Sequence, residues 1–177
     1  MSQTSGQPES SGRAKRGISR RLILVLLGVI VLGFAWGIFK IVSWDPNFVT
    51  KIIVANQLIL KSDEGVNLVG VNSPPVQETQ VGQPASDFVT RCVLNRNVRI
   101  DTDPEEPRDH AGWILGYVYY TEDGKERFLN EELLRRGYAR VKLAYPHLKH
   151  RKLFEEAEAE AKSKKLGIWA PGYKFPE

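Results

Sequence analysis

Residues 112–139 read GWILGYVYYTEDGKERFLNEELLRRGYA, and this stretch decides the fold. Ile114 to Tyr120 is crowded with β-branched and aromatic residues, which suit a pleated, half-buried surface. Thr121-Glu122-Asp123-Gly124-Lys125 is turn chemistry, because Asp-Gly tolerates the left-handed backbone of a tight hairpin. Glu126–Leu129 returns as the partner strand. Asn130 is expected to cap a short helix over Glu131–Arg136, stopped by Gly137. Tyr138-Ala139-Arg140-Val141 reads as extended.

On the C-terminal side, Leu153, Ala157 and Ala161 mark the small-residue face of a helix spanning about Arg151 to Lys165. Glu158–Lys162 and Glu160–Lys164 support it as i, i+4 pairs with the acid nearer the N-terminus. Gly167 ends it, and Ile168 and Trp169 are expected to fold back onto the core. On the N-terminal side, Leu58-Ile59-Leu60 and Val66 to Val71 are two apolar runs, with a hairpin turn at 61–65. Pro74 and Pro75 end the second run, since proline cannot donate to a ladder. Ala85, Phe88, Val89, Cys92 and Val93 follow the spacing of an amphipathic helix. Cys92 lies on that apolar stripe, which marks it as a buried small hydrophobe rather than a nucleophile. Val98 to Asp101 is a further strand. The succession points to a compact α+β domain with a small antiparallel barrel.

Charge is unevenly placed. Of the net +4, residues 1–21 supply +4, and residues 44–177 carry 19 Lys/Arg against 20 Asp/Glu. The domain therefore has no global attraction for phosphate backbones. Residues 1–12 have almost no apolar content and are expected to be a disordered tail. Leu22 to Phe39 is an uncharged apolar run. At ~1.5 Å per residue it nearly crosses a ~30 Å hydrocarbon core, and the flank through Trp44 supplies the rest. Five basic residues precede it. The positive-inside rule then predicts a single-pass cell-membrane protein: a cytoplasmic head 1–21, a transmembrane helix 22–43 and an extracytoplasmic domain 44–177. A single cysteine forms no internal disulfide.

From about Thr50 to Trp169 the chain resembles the staphylococcal-nuclease-type (thermonuclease-like) family. The family's Gly-Arg-x-Leu-Ala-Tyr-Val-Tyr strand is matched by Gly112-Trp113-Ile114-Leu115-Gly116-Tyr117-Val118-Tyr119. Its Asn-x-x-Leu-Val-x-x-Gly-x-Ala is matched from Asn130 to Ala139, and its closing Gly-x-Trp by Gly167-Ile168-Trp169. The resemblance implies a five-stranded oligonucleotide-binding-type barrel with about three helices. It also implies calcium-dependent phosphodiester hydrolysis, in which acids hold the ion, a glutamate activates water and two arginines steady the phosphate.

The polar positions of that pattern are degenerate here. Asn56 and Asn72 stand at the metal carboxylates, Asn67 at the first arginine, Pro75 at the glutamate and Trp113 at the second arginine. The resemblance with these departures implies a module that binds or scaffolds at the envelope, with no catalytic residue and no cofactor. The cleft is expected to hold Trp113 and the asparagines and to suit a neutral polar partner, an envelope protein or polymer. One alternative is a nuclease with relocated residues, such as Glu78 with Arg108, which would need calcium. Asp63, Glu64, Asp101, Asp103 and Asp109 are weighed as solvated loop acids. The other alternative, less favoured, is nucleic-acid binding by Arg135, Arg136, Arg140, Lys142, Lys149, Arg151 and Lys152 with Tyr138 and Tyr145. His147 and His150, spaced i, i+3, have no evident third ligand, and His110 stands alone.

Overall fold

The structure is a computed structural model. It describes Val25, 28–31, 45–78, 80–142 and 148–176, and the chain divides into two units, Met1–Trp44 and Asp45–Glu177. In the first unit Val25 and Gly28–Val31 are helical, with the four large side chains exposed. The rest of the expected membrane segment 22–43, the head and the tail lie outside the described residues. Among the described residues no helix is long and apolar enough to cross a membrane.

The second unit carries β1 (Val49–Val54), β2 (Gln57–Leu60), β3 (Gly65–Leu68), β4 (Val71–Asn72), α1 (Gly82–Val93), β5 (Arg99–Thr102), β6 (Ile114–Glu122), β7 (Lys125–Phe128), α2 (Leu129–Arg135), β8 (Arg140–Val141) and α3 (Arg151–Ser163). A 3₁₀ turn at Gly167–Trp169 follows. The main sheet runs β1-β2-β3-β6-β5, with β7 added to the far end of β6, and β4 pairs β8 as a separate ribbon. The α+β class and the three helices agree with the expectation. The strand count differs from five, because β7 adds a sixth strand to the main sheet and β4 and β8 form a second, two-stranded one. Nor is the sheet purely antiparallel. β3 and β6 run parallel, Val66 beside Ile114 and Leu68 beside Gly116, since α1 and β5 lie between them in sequence and carry the chain back to its starting end.

Alternation places the core. Leu58 and Leu60 of β2 and Val66 and Leu68 of β3 point inward. β6 is buried on both faces from Leu115 to Val118, because it is the central strand under the helices. Phe88, Val89, Cys92 and Val93 of α1, Leu133 and Leu134 of α2, and Phe154 and Ala157 of α3 close over this surface. Burial pushes the Cys92 thiol up from its ordinary pKa, as a core residue requires.

Asn130 departs from its expected role. Helix α2 begins at Leu129 after Phe128, so Asn130 lies inside the helix and its side chain is fully buried. Its Oδ1 accepts from the Val118 N–H at 3.0 Å. Its Nδ2 donates to the Val69 carbonyl at 2.9 Å and to the Gly116 carbonyl at 3.3 Å. The amide thus pins the end of β3 to the middle of β6, where the chain leaves the sheet. At the other end of α2, Gly137 is left-handed (φ +69°) and a Cβ there would strike the Leu166–Gly167 backbone. The Gly137 carbonyl accepts from Ile168 N–H at 2.9 Å, which folds the C-terminus back as expected.

Replacing Asn130 by leucine removes the side-chain partners of the Val118 N–H and the Val69 carbonyl, each costing about 1–3 kcal/mol when left unsatisfied, while the Gly116 carbonyl keeps the Val69 N–H at 3.0 Å. The expected loss in urea unfolding is about 3 kcal/mol or more. A loss below about 1 kcal/mol would show that the amide is not a structural pin.

Candidate functional site

A cleft of about 440 Å³ opens where the β1–β2 turn, the ends of β2 and β3, β4 and the loop before β6 converge. Asn56, Gln57, Asn67, Asn72, Ser73 and Pro75 line it, with Asp109 and Lys142. The fold therefore gathers four of the five degenerate positions, Asn56, Asn67, Asn72 and Pro75, although they are up to 19 places apart in sequence. Trp113 is not among the lining residues. Its indole lies against the face of Gly65 at the start of β3, where any Cβ would collide with the ring. The expectation that the cleft holds Trp113 is corrected: the indole lies over Gly65, where part of its area is removed from water.

The loop acids have local employment. Asp109 Oδ1 accepts from Ala111 N–H at 2.9 Å and Trp113 N–H at 3.0 Å, and its Oδ2 accepts from Asn67 Nδ2 at 2.6 Å. This one carboxylate shapes the turn ahead of β6 and fixes an amide of the cleft wall. Arg108 pairs with Glu64 at 2.5 Å and donates to the Gly112 carbonyl at 2.8 Å. The Arg108 hydrogen bond holds the Glu64 carboxyl below its ordinary pKa. Asp101 pairs with Arg99, which also engages Glu126.

Glu78 is equally committed, and not to the cleft. Its Oε1 accepts from Gln80 N–H, and its Oε2 from Val81 and Gly82 N–H at 2.7 and 3.0 Å, all at the start of α1. Tyr173 donates a further bond at 3.3 Å. Burial works to raise the Glu78 carboxyl, but the bonds from Gly82, Val81 and Gln80 outweigh it and leave the pKa lowered. Burial, with Glu78 alongside, pushes the Tyr173 phenol up to about 12, so it stays a donor. Glu78 and Arg108 are thus held by different partners rather than brought together as a relocated pair.

Calcium takes ~6–8 oxygens and relies on carboxylates for charge. The cleft offers amide oxygens and one carboxylate whose two oxygens already accept three hydrogen bonds. Among the described residues, no three His, Cys, Asp or Glu are grouped to hold a metal ion. The donor set does not fit the ion that the resemblance implies.

Lys142 lines the cleft, while most of the other basic candidates are engaged elsewhere. Arg135 meets Glu131 at 2.5 Å and also Glu160, and Arg136 meets Glu132 at 3.0 Å while covering the Phe88 ring. Arg151 and Lys152 pair with Glu155 and Glu156. Arg140 lies over the Phe175 ring at 4.0 Å, and Tyr138 packs against Phe88. Tyr145 and His147 lie outside the described residues. His150 is half-buried among Tyr117, Phe128 and Phe154, and burial lowers its pKa.

A curled mixed sheet closed by three helices, with a cleft at the β1–β2 and β3–β4 turns, defines a nuclease-type barrel. Comparison with known proteins agrees. The staphylococcal nuclease homologue family matches residues 65–171, and the chain belongs to that family. It is 34% identical over 170 residues to a thermonuclease of Staphylococcus intermedius, covering 86% of this chain and 97% of the relative. It is 32% identical over 172 residues to the thermonuclease of Staphylococcus hyicus, covering 86% and 98%. It is 39% identical over 90 residues to the SPbeta prophage-derived endonuclease YokF of Bacillus subtilis, covering 50% and 29%.

Glu78→Ala should cost about 1 kcal/mol at neutral pH, the worth of a helix cap discounted for solvent screening. A lowered folded pKa contributes stability that is complete above the unfolded value near 4.5 and is lost as pH falls through the folded one. Urea unfolding of wild type and variant should therefore converge below that pH. A gap that persists or widens in acid would remove Glu78 from this role.

Proposed function

We propose that this chain is a catalytically inert member of the nuclease family that serves as a binding module at the outer face of a membrane. The observation that carries the reading is the cleft wall. It presents Asn56, Asn67 and Asn72 where the family pattern calls for two acids and an arginine, and Pro75 where it calls for the glutamate. Phosphodiester cleavage needs a base for water and positive charge on the phosphate. Asp109 is spent on a turn, and among the described residues Lys142 is the one cation lining the cleft, so neither requirement is met.

The full chain, purified in mild detergent, should cleave neither DNA nor RNA with calcium from pH 6 to 10, a range of about four units spanning common general bases. A variant carrying Asn56→Asp, Asn67→Arg, Asn72→Asp, Pro75→Glu and Trp113→Arg together should gain calcium-dependent cleavage. Calcium-dependent cleavage by the wild-type chain would overturn the reading.

The membrane part rests on the apolar run within residues 22–43 and the five basic residues before it. The matched 86% of the chain is more than the unit Asp45–Glu177 contains, so the similarity to the thermonuclease runs back into the N-terminal stretch. In this reading, residues 1–21 are cytoplasmic and the folded unit lies outside, near the bilayer. Alkaline washing should leave the chain with membranes, and protease added to intact cells should digest the folded unit. Release by alkali, or protection from external protease, would contradict the topology.

A further inference from the structure

We infer that the amide-lined cleft binds a neutral carbohydrate, a mono- or disaccharide unit of a hydroxyl-rich polymer; this rests on the inert-module reading and gives it a ligand class. The cleft holds unspent hydrogen-bonding groups. Among the described residues, the side-chain amides of Asn56, Gln57 and Asn72 make no hydrogen bond, although all three line the cleft. Asn67 is different. Its Nδ2 is taken by Asp109, which fixes the amide and leaves its Oδ1 turned to accept. An amide presents a donor and an acceptor side by side. Sugar hydroxyls also donate and accept, and neighbouring ones have the spacing to engage both halves of one amide.

The cleft wall carries a second signal. Ser73 is nine-tenths buried, and its Oγ has no hydrogen-bond partner. A buried hydroxyl without a partner is costly, and a ligand hydroxyl or a bridging water would relieve it. The apolar part of the wall, Val54, Leu68, Val71 and Pro75, suits the C–H face of a pyranose ring. The volume lies within the ~300–1,000 Å³ of small-ligand sites.

Competing ligand classes fit less well. Lys142 and Asp109 carry opposite charges on the same wall, so the cleft does not gather the positive charge that a nucleic acid needs. A peptide added as a strand requires free backbone groups. Several of those around the cleft are already used: Asn67 pairs with Gln57, Asn72 with Arg140, and Leu68 N–H donates to the Asn56 carbonyl.

The test is titration of the isotope-labelled full chain, in a detergent without a sugar headgroup, with maltotriose and with tri-N-acetylchitotriose, each to about 10 mM to reach weak affinities. A single-stranded oligonucleotide and an uncharged peptide serve as comparison ligands. Saturable amide shifts around Asn56 and Asn72 are expected with at least one oligosaccharide. The paired substitution Asn56→Ala with Asn72→Ala should weaken that binding at least about tenfold, while circular dichroism and the melting temperature stay at wild-type values. Arg151→Ala, on the remote face of α3, should leave the affinity unchanged. No saturable shift with either sugar, shifts that survive the paired substitution, or cleft binding of the oligonucleotide or peptide instead would overturn the inference. The nuclease assay keeps the two readings apart. A chain that neither cleaves nor binds sugar removes only the ligand class, whereas a chain that cleaves removes the inert-module reading beneath it.

Discussion

One buried amide, that of Asn130, joins the two halves of the folded unit. Its three hydrogen bonds reach Val69, Gly116 and Val118, the residues at which β3 parts from β6 and the chain turns into β4. Parallel pairing closes few contacts locally and depends on whatever holds the strands at the crossover. Here that is a helix residue anchored from below. Asn67 stands just before this junction and Asn72 just after it, so both positions on the cleft wall inherit their placement from the pin. The other fixed point, the backbone contact between Gly137 and Gly167, ties the far end of the same helix to the C-terminal turn. A seven-residue helix too short to be stable alone is thus held at both ends by tertiary contacts.

On the proposed reading, the cleft departs from the family pattern chiefly in its electrostatics. Asparagine for aspartate, as at Asn56 and Asn72 against the family pattern, is nearly isosteric and removes a unit of charge. Asparagine for arginine at Asn67 shortens the side chain, which now bonds Asp109 within the wall. Trp113 turns away from the opening onto Gly65. These replacements spare the core: Leu58, Leu60, Val66 and Leu115 are among the most buried of the described residues. The requirements of folding and those of phosphodiester chemistry fall on separate residues in this barrel.

That separation explains what the sequence disclosed. The β2–β3 and β6–β7 hairpins were legible because alternation and turn residues are local signals, and α1 and α3 because their apolar spacing is. β1 escaped direct reading. VTKIIV alternates weakly, and its burial comes from α1 and β2 packing against it, not from its own pattern. Asn130 was misread as a cap because a polar residue ahead of Glu-Glu resembles a helix start. Only the tertiary fold shows that its amide faces inward. The cleft asparagines were legible through resemblance alone, since separated polar residues carry no periodicity. The tasks of Glu78 and Asp109 were invisible, because a carboxylate that shapes a loop and one that performs chemistry look alike in one dimension.

The substitution of amides for carboxylates in the cleft has a thermodynamic corollary. Acids that face one another repel until a cation fills the space between them, so a protein built that way is tensioned when empty and relaxed when loaded. A wall of Asn56, Asn67 and Asn72, with Asp109 balanced by Lys142, carries no such tension. On the inert-module reading, its folding equilibrium is expected to depend little on the surrounding divalent-ion concentration. If the folded unit stands at a cell's outer face, as proposed, where calcium and magnesium levels follow the environment, it would keep one resting conformation through those fluctuations.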